Sequence, residues 1–129
     1  MCKNLRMDAD SRCGRHVDSP YVELAVEVFA MLADATRVRI VLALTDGELA
    51  VNDLADRVGK SPAAVSQHLA KLRLARVVAT RQVGTRVFYR LTDEHARQLV
   101  ADAIFQAEHQ LAATPAHHHR EAARADRPA

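Results

Sequence analysis

After Ala75 the apolar residues of this chain stop recurring every third or fourth position and begin to alternate. A period of 3.6 marks helices and a period of 2 marks strands, so the chain must change structure there. Ahead of the switch, Ser19-Pro20 opens a first helix carrying Val22, Ala25, Val26, Phe29 and Leu32 at helical spacing. A second helix fits Asp34 to Leu44, with Val38, Val41 and Leu42 inward and Arg37 and Arg39 outward, until Asp46-Gly47 breaks it. Val51 to Val58 makes a short third helix ended by Gly59, a residue suited to the left-handed position after a helix. Only Gly59-Lys60 separates it from a fourth helix, which Ser61-Pro62 opens and which runs to about Arg73. Two helices joined so tightly form a helix-turn-helix. Beyond the switch, Val77 to Arg81 and Arg86 to Arg90 are β-rich runs around Gln82-Val83-Gly84-Thr85, a hairpin with arginines at its tip and edges. Thr92-Asp93 then caps a last helix striped by Leu99, Val100, Ala103, Ile104, Ala107 and Leu111. The expected fold is mainly α with a β-hairpin wing: a winged helix-turn-helix of order ααααββα. Residues 1–18 and 112–129 lack this periodicity and read as a flexible arm and a flexible tail around a domain spanning 19–111.

Charge is as segregated as periodicity. From Arg57 to Arg90 the chain has no acid but eight of its eighteen Lys and Arg: Arg57, Lys60, Lys71, Arg73, Arg76, Arg81, Arg86 and Arg90. A solvated helical face ordinarily mixes signs, whereas a surface built for phosphate excludes acids. On the fourth helix Val65, Leu69 and Leu72 share one face and should anchor it, leaving Ser61, Ala63, Ala64, Ser66, Gln67, His68 and Lys71 to face outward. Small residues early in the helix let it enter a major groove about 12 Å wide, where Ser66 and Gln67 can hydrogen-bond base edges. Lys71, Arg73 and the wing residues Arg81 and Arg86 are positioned for phosphates, which set register and carry little sequence information. His68 reads as a groove or helix-packing residue rather than a metal ligand. The expected partner is duplex DNA.

Other classes are disfavoured. No apolar run approaches the ~20 residues that cross a bilayer, and the polar start has no signal-peptide core, so a cytoplasmic chain without a membrane partner is expected. No glycine-rich phosphate loop, nucleophile elbow or HExxH run appears, which argues against an enzyme and against a small organic substrate. Cys2 and Cys13 precede the first helix and cannot staple a core.

Three motifs carry a family resemblance: Ala33-Asp34-Ala35-Thr36-Arg37, Asp53-Leu54-Ala55, and the run from Ser61 to Leu72, SPAAVSQHLAKL. Over about residues 20–111 the chain resembles the ArsR/SmtB family of bacterial metal-responsive repressors. The resemblance implies a homodimer that binds operator DNA when metal-free and releases it when the effector binds. The arsenic- and cadmium-type sensor resembles Glu-Leu-Cys-Val-Cys-Asp-Leu; here the run is Glu48-Leu49-Ala50-Val51-Asn52-Asp53-Leu54. Without the two thiols a thiophilic metal has no soft ligand there, so that site is absent. The zinc form on the last helix is similar to Asp93-x-His95 and His109, but Gln106 stands where another histidine belongs.

On that helix His95, Asp102 and His109 repeat every seven residues and share a face. At 1.5 Å per residue His95 and His109 lie ~21 Å apart, too far to share one ion unless two helices pair antiparallel across a dyad. Further ligands are available in His117, His118 and His119 after Pro115. The arrangement resembles the mycobacterial nickel- and cobalt-sensing branch of the family, in which the ligands correspond to His95, Glu108, His109, His117 and His118. Such a set of imidazoles and a carboxylate suits Ni(II) or Co(II) as regulatory ligand, with Zn(II) also possible. Asp93 and Asp102 read as a cap and a supporting acceptor, and His119 and His16 as weaker additional ligands. The alternative switch is a thiol pair, Cys2 and Cys13, on the arm.

Overall fold

A computed structural model describes residues 16–113. Cys2, Cys13, His117, His118 and His119 lie outside the described residues. The chain divides between Thr92 and Asp93 into two units. The first holds α1 (Val22–Leu32), α2 (Ala35–Ala43), a single 3-10 turn (Leu44–Asp46), β1 (Leu49–Ala50), α3 (Val51–Val58), α4 (Pro62–Leu74), β2 (Val78–Val83) and β3 (Arg86–Leu91). The second holds α5 (Glu94–Ala113). No helix among the described residues is long and apolar enough to cross a membrane.

Local chemistry explains most boundaries. Asp34 caps α2 by accepting from the Arg37 N–H at 3.0 Å, and Ser61 caps α4 by accepting from the Ala64 N–H at 3.1 Å, with Pro62 at the first helical position. Gly59 takes φ 70°, which lets the Lys60 N–H turn back to the Ala55 carbonyl and closes α3. At the start of α1 the structure differs by two residues from the sequence expectation. Pro20 lies in a turn, and Ser19 accepts from the Tyr21 N–H ahead of a helix that begins at Val22.

The core is built from α2, α3, α4 and the wing. Ile40, Val41, Leu44, Leu54, Val65, Leu69, Leu72, Val77 and Val78 are buried. In α2 the inward stripe is Thr36, Ile40 and Val41, whereas Leu42 is exposed, contrary to expectation. The reason is phase. Positions 36 and 40, four apart, share a face, and packing turns that face inward, so Leu42 falls on the far side. Arg37 is not outward either; it is half-buried, and its Nε and Nη1 have no hydrogen-bond partner among the described residues. α1 contributes no buried residue at all: Tyr21, Val22, Leu24, Val26 and Phe29 stand exposed along it.

The hairpin forms with a tighter loop than expected. β2 and β3 pair antiparallel from Val78↔Leu91 through Val83↔Arg86, so only Gly84-Thr85 turns the chain. Gly84 at φ 61° supplies the first-position positive φ that a two-residue hairpin of this kind requires. β1 has no counterpart in the sequence expectation. It pairs antiparallel with β3, Leu49↔Tyr89 and Ala50↔Phe88, giving a three-stranded sheet of order β1-β3-β2. Two residues are too few to display a period, so nothing in the local pattern marks them.

α4 ends in a Schellman motif with an uncommon residue in its left-handed position. The Arg76 N–H donates to the Arg73 carbonyl at 3.0 Å and the Val77 N–H to the Leu72 carbonyl at 2.9 Å. Buried Val77 and Leu72 flank the motif, and Arg76 takes φ 62°, the sole positive φ at a non-glycine residue among those described. A Cβ is disfavoured there, so Arg76→Gly is expected to stabilise the fold by about 0.5–1 kcal/mol. Urea unfolding at fixed protein concentration measures this; an unchanged or lowered midpoint would count against a strained C-terminus.

Candidate nucleic-acid interface and sensor helix

α4 is held by its buried face and presents its other face to solvent. Val65, Leu69 and Leu72 are each fully buried. Ser61, Ala63, Ser66, Gln67, Lys71 and Arg73 are exposed, and Ala64 and His68 are half-buried. The spacing of the apolar residues dictates this division, and the Ser61 cap fixes where the helix begins. The helix therefore shows small residues at its start, amide and hydroxyl donors and acceptors next, and cations in its last turn.

His68 leans from this helix toward the cap of α2, its Nδ1 lying 3.9 Å from Asp34 Oδ2. The Asp34 carboxyl is held below the ordinary aspartate range, chiefly by the hydrogen bond from the Arg37 backbone. Partial burial opposes this, and the charges of His68 and Arg37 add to it. A depressed carboxylate stabilises the fold above its unfolded pKa and loses that contribution as pH falls through the folded value. The melting temperature should therefore fall on acidification below about pH 4. Asp34→Asn keeps a capping side chain and should flatten part of that acid dependence. An identical pH profile in the variant would show that Asp34 is not responsible.

The wing arginines are already engaged. Arg81 grips the Glu48 carboxylate with its Nε, 3.0 and 3.1 Å from the two oxygens, and with its Nη2. Arg86 Nη2 stands 4.0 Å from Asp53 Oδ2. Both guanidinium groups also pack on Phe88, with Arg81 at 5.6 Å and Arg86 at 5.0 Å from the ring centre. The Glu48 carboxyl is pushed down by its hydrogen bonds from Arg81 first, against some desolvation, and further by the charges of Arg81 and Arg90. Arg81 is correspondingly shifted up by the same carboxylate. Neither acid belongs to the acid-free stretch. They come from the residue before β1 and the first turn of α3, and the β1–β3 pairing brings this segment to the wing.

In the second unit the candidate ligands line a single helix. Asp93 Oδ1 accepts from the His95 N–H at 2.9 Å, the capping role read from sequence. Gln98 Nε2 donates to Asp102 Oδ1 at 2.9 Å. His95, Asp102, Glu108 and His109 are exposed, and Phe105 stacks on His109 with ring centres 6.2 Å apart and planes 17° from parallel. Among the described residues no three His, Cys, Asp or Glu side chains gather closely enough to hold a metal ion. The helix supplies sets of at most two donors, imidazole and carboxylate in character, so a full coordination sphere requires donors from elsewhere.

Residues 34–80 match the bacterial regulatory protein, arsR family. The HTH-type transcriptional regulator KmtR of Mycobacterium tuberculosis is 61% identical over 95 residues, covering 74% of this chain and 73% of that protein. Among solved structures, the homodimeric winged helix-turn-helix DNA-binding domain Mb0332 of Mycobacterium bovis superposes with a TM-score of 0.64 at 28% identity, over 72% of this chain and 86% of that one. The AntR antimony-specific transcriptional repressor superposes with a TM-score of 0.63 at 32% identity, over 73% and 85% of the two chains. These relatives are regulators of transcription and not enzymes, and their winged helix-turn-helix is the fold seen here. This chain belongs to the arsR family of bacterial regulatory proteins.

Proposed function

We propose that the chain is a metal-responsive repressor that binds operator DNA as a homodimer through α4 and the wing and releases it on binding Ni(II) or Co(II). The observation that carries the DNA reading is the exposed face of α4, on which Ser61, Ser66, Gln67, Lys71 and Arg73 stand free of acidic neighbours in sequence. Helix donors in the groove and cations on phosphate are the two ingredients of duplex recognition. The homodimer is supported by the uncovered apolar residues of α1, by the exposure of Phe105 and Leu111 on α5, and by the homodimeric structural relative. For the metal, the proposed ligands are His95, Glu108 and His109 on α5 with His117 and His118 from the tail; Asp93, Asp102 and His119 are further candidates. Exposed imidazoles and a carboxylate fit Ni(II) or Co(II), which when bound would supply a fixed cross-link between donors far apart in sequence.

The test selects a tight duplex from a random pool and then follows its fluorescence anisotropy with and without Ni(II), Co(II) or Zn(II) at buffered free metal. The expected result is nanomolar-range binding without metal, weakened by Ni(II) or Co(II) about 5–150-fold, the range of ordinary allosteric coupling. Retained DNA affinity at all metal levels would remove the sensing reading and leave the DNA-binding one. No duplex binding even at low salt would remove both.

A further inference from the structure

The stretch from Arg57 to Arg90 is acid-free along the chain, but the surface it forms is not. Across the sheet, Ala50, Phe88 and Arg81 are paired in one row, so their side chains leave the sheet on the same face. Arg86 and Arg90 lie two residues either side of Phe88 on β3 and therefore share that face. Glu48, two residues before Ala50, meets it from the far edge, and Asp53 meets it from the first turn of α3. Three arginines on this face are thus met by two carboxylates. The pairs are solvent-accessible: the side chains of Arg81, Arg86 and Asp53 are each more than half exposed, and Glu48 is 28% exposed. Ion pairs of that kind are weak and exchangeable.

The Glu48 carboxylate, gripped by two guanidinium nitrogens of Arg81, offers one negative charge and a pair of acceptor oxygens, as a phosphate diester does to arginine. We propose that Glu48 and Asp53 stand in for DNA phosphates on the wing of the DNA-free protein, so that duplex binding proceeds by exchange of carboxylate for phosphate at Arg81 and Arg86. This rests on the reading of the wing as a DNA contact. Two consequences follow. The acids hold both guanidinium groups on the Phe88 face of the sheet. They also lower affinity for any duplex, because each phosphate contact is made at the expense of an existing pair. Discrimination then falls more heavily on α4, whose exposed residues have no such competitor among the described residues.

The experiment is a double-mutant cycle on the full-length protein with a fluorescent 30-base-pair duplex of mixed sequence, at low salt, where backbone contacts dominate. Glu48→Gln keeps the shape of the side chain and one acceptor oxygen and removes its charge. It should tighten binding about two- to fivefold, the range set by exposed ion pairs. In an Arg81→Ala background the same substitution should change nothing. Asp53→Asn with Arg86→Ala forms a second, independent cycle that does not depend on how Glu48 variants fold. If Glu48→Gln weakens binding, the pair is a scaffold for the wing and the proposal is overturned. If its tightening persists undiminished without Arg81, the effect is a general field and the proposal is again overturned. Should Arg81→Ala and Arg86→Ala leave affinity unchanged, the wing does not meet phosphate, and both the exchange and that part of the DNA reading fail. In that case Lys71→Ala still reports separately on α4.

Discussion

Leu69→Ala is expected to destabilise the fold by about 2–5 kcal/mol, enough to leave a marginally stable small domain largely unfolded. Leu69 is fully buried in the middle of α4, and α4 packs against α2, α3 and β2, so its side chain lies where the reading helix joins the rest of the core. Truncation removes the transfer free energy of the lost methyl groups. It also leaves a cavity that a close-packed core, in which Ile40, Leu54 and Leu72 are likewise fully buried, fills only in part. Equilibrium unfolding in urea should show a lower midpoint at an unchanged slope, measured at one protein concentration because the proposed dimer would link stability to concentration. Gln67→Ala, two residues away and exposed, is the internal contrast: its stability should stay within about 0.5 kcal/mol of wild type. Its loss should instead appear in discrimination between duplexes, by about 1–3 kcal/mol at the base pair it meets. A Leu69→Ala protein as stable as the Gln67→Ala protein would refute the assignment of α4's buried face.

His109→Ala should abolish the metal response while leaving metal-free DNA affinity unchanged. Wild-type protein is expected to bind its selected duplex about 5–150-fold more weakly with Ni(II) or Co(II), and the variant no more than marginally so. The physical argument is reach. His95 and His109 are fourteen positions apart on a continuous helix, roughly 21 Å along its axis, so one α5 cannot close an ion between them. Glu108 and His109 are adjacent and exposed, and Asp102 already accepts from Gln98. Coordination must therefore recruit donors from the tail or from a second α5, and His109 is the donor nearest the tail that the helix holds in place. By linkage, DNA must weaken metal binding by the same factor, so isothermal titration with and without duplex checks the wild-type coupling independently. A His109→Ala protein that still releases DNA on adding metal would move the sensor elsewhere, and the His117 and His118 pair would be the next to replace.

How far the residues alone lead differs from element to element. The start of α4 was legible because Ser61 and Pro62 act on backbone groups within three residues, and its buried face because Val65, Leu69 and Leu72 repeat at helical spacing. Gly59 was legible for the same local reason. α2 was placed but misphased: Leu42 and Ile40 are equally apolar, and only packing partners choose between them. Arg76 in a left-handed conformation had no sequence signal, since the position that favours glycine holds an arginine. The family resemblance was legible in motifs covering the same helices, and the comparisons bear it out.

Helix limits, the helix-turn-helix, the hairpin and the cationic run are properties that neighbours in sequence determine, through caps, turn residues and period, so the chain by itself decided them. The charge that the wing presents is different in kind. It depends on Glu48 and Asp53 reaching Arg81 and Arg86 across more than thirty residues, and that depends on a two-residue strand finding its register on β3. The β1–β3 pairing is specified by partners remote in sequence, and a two-residue strand carries no local pattern that encodes it. The tertiary structure therefore decided that an acid-free segment forms a surface whose arginines already hold carboxylates.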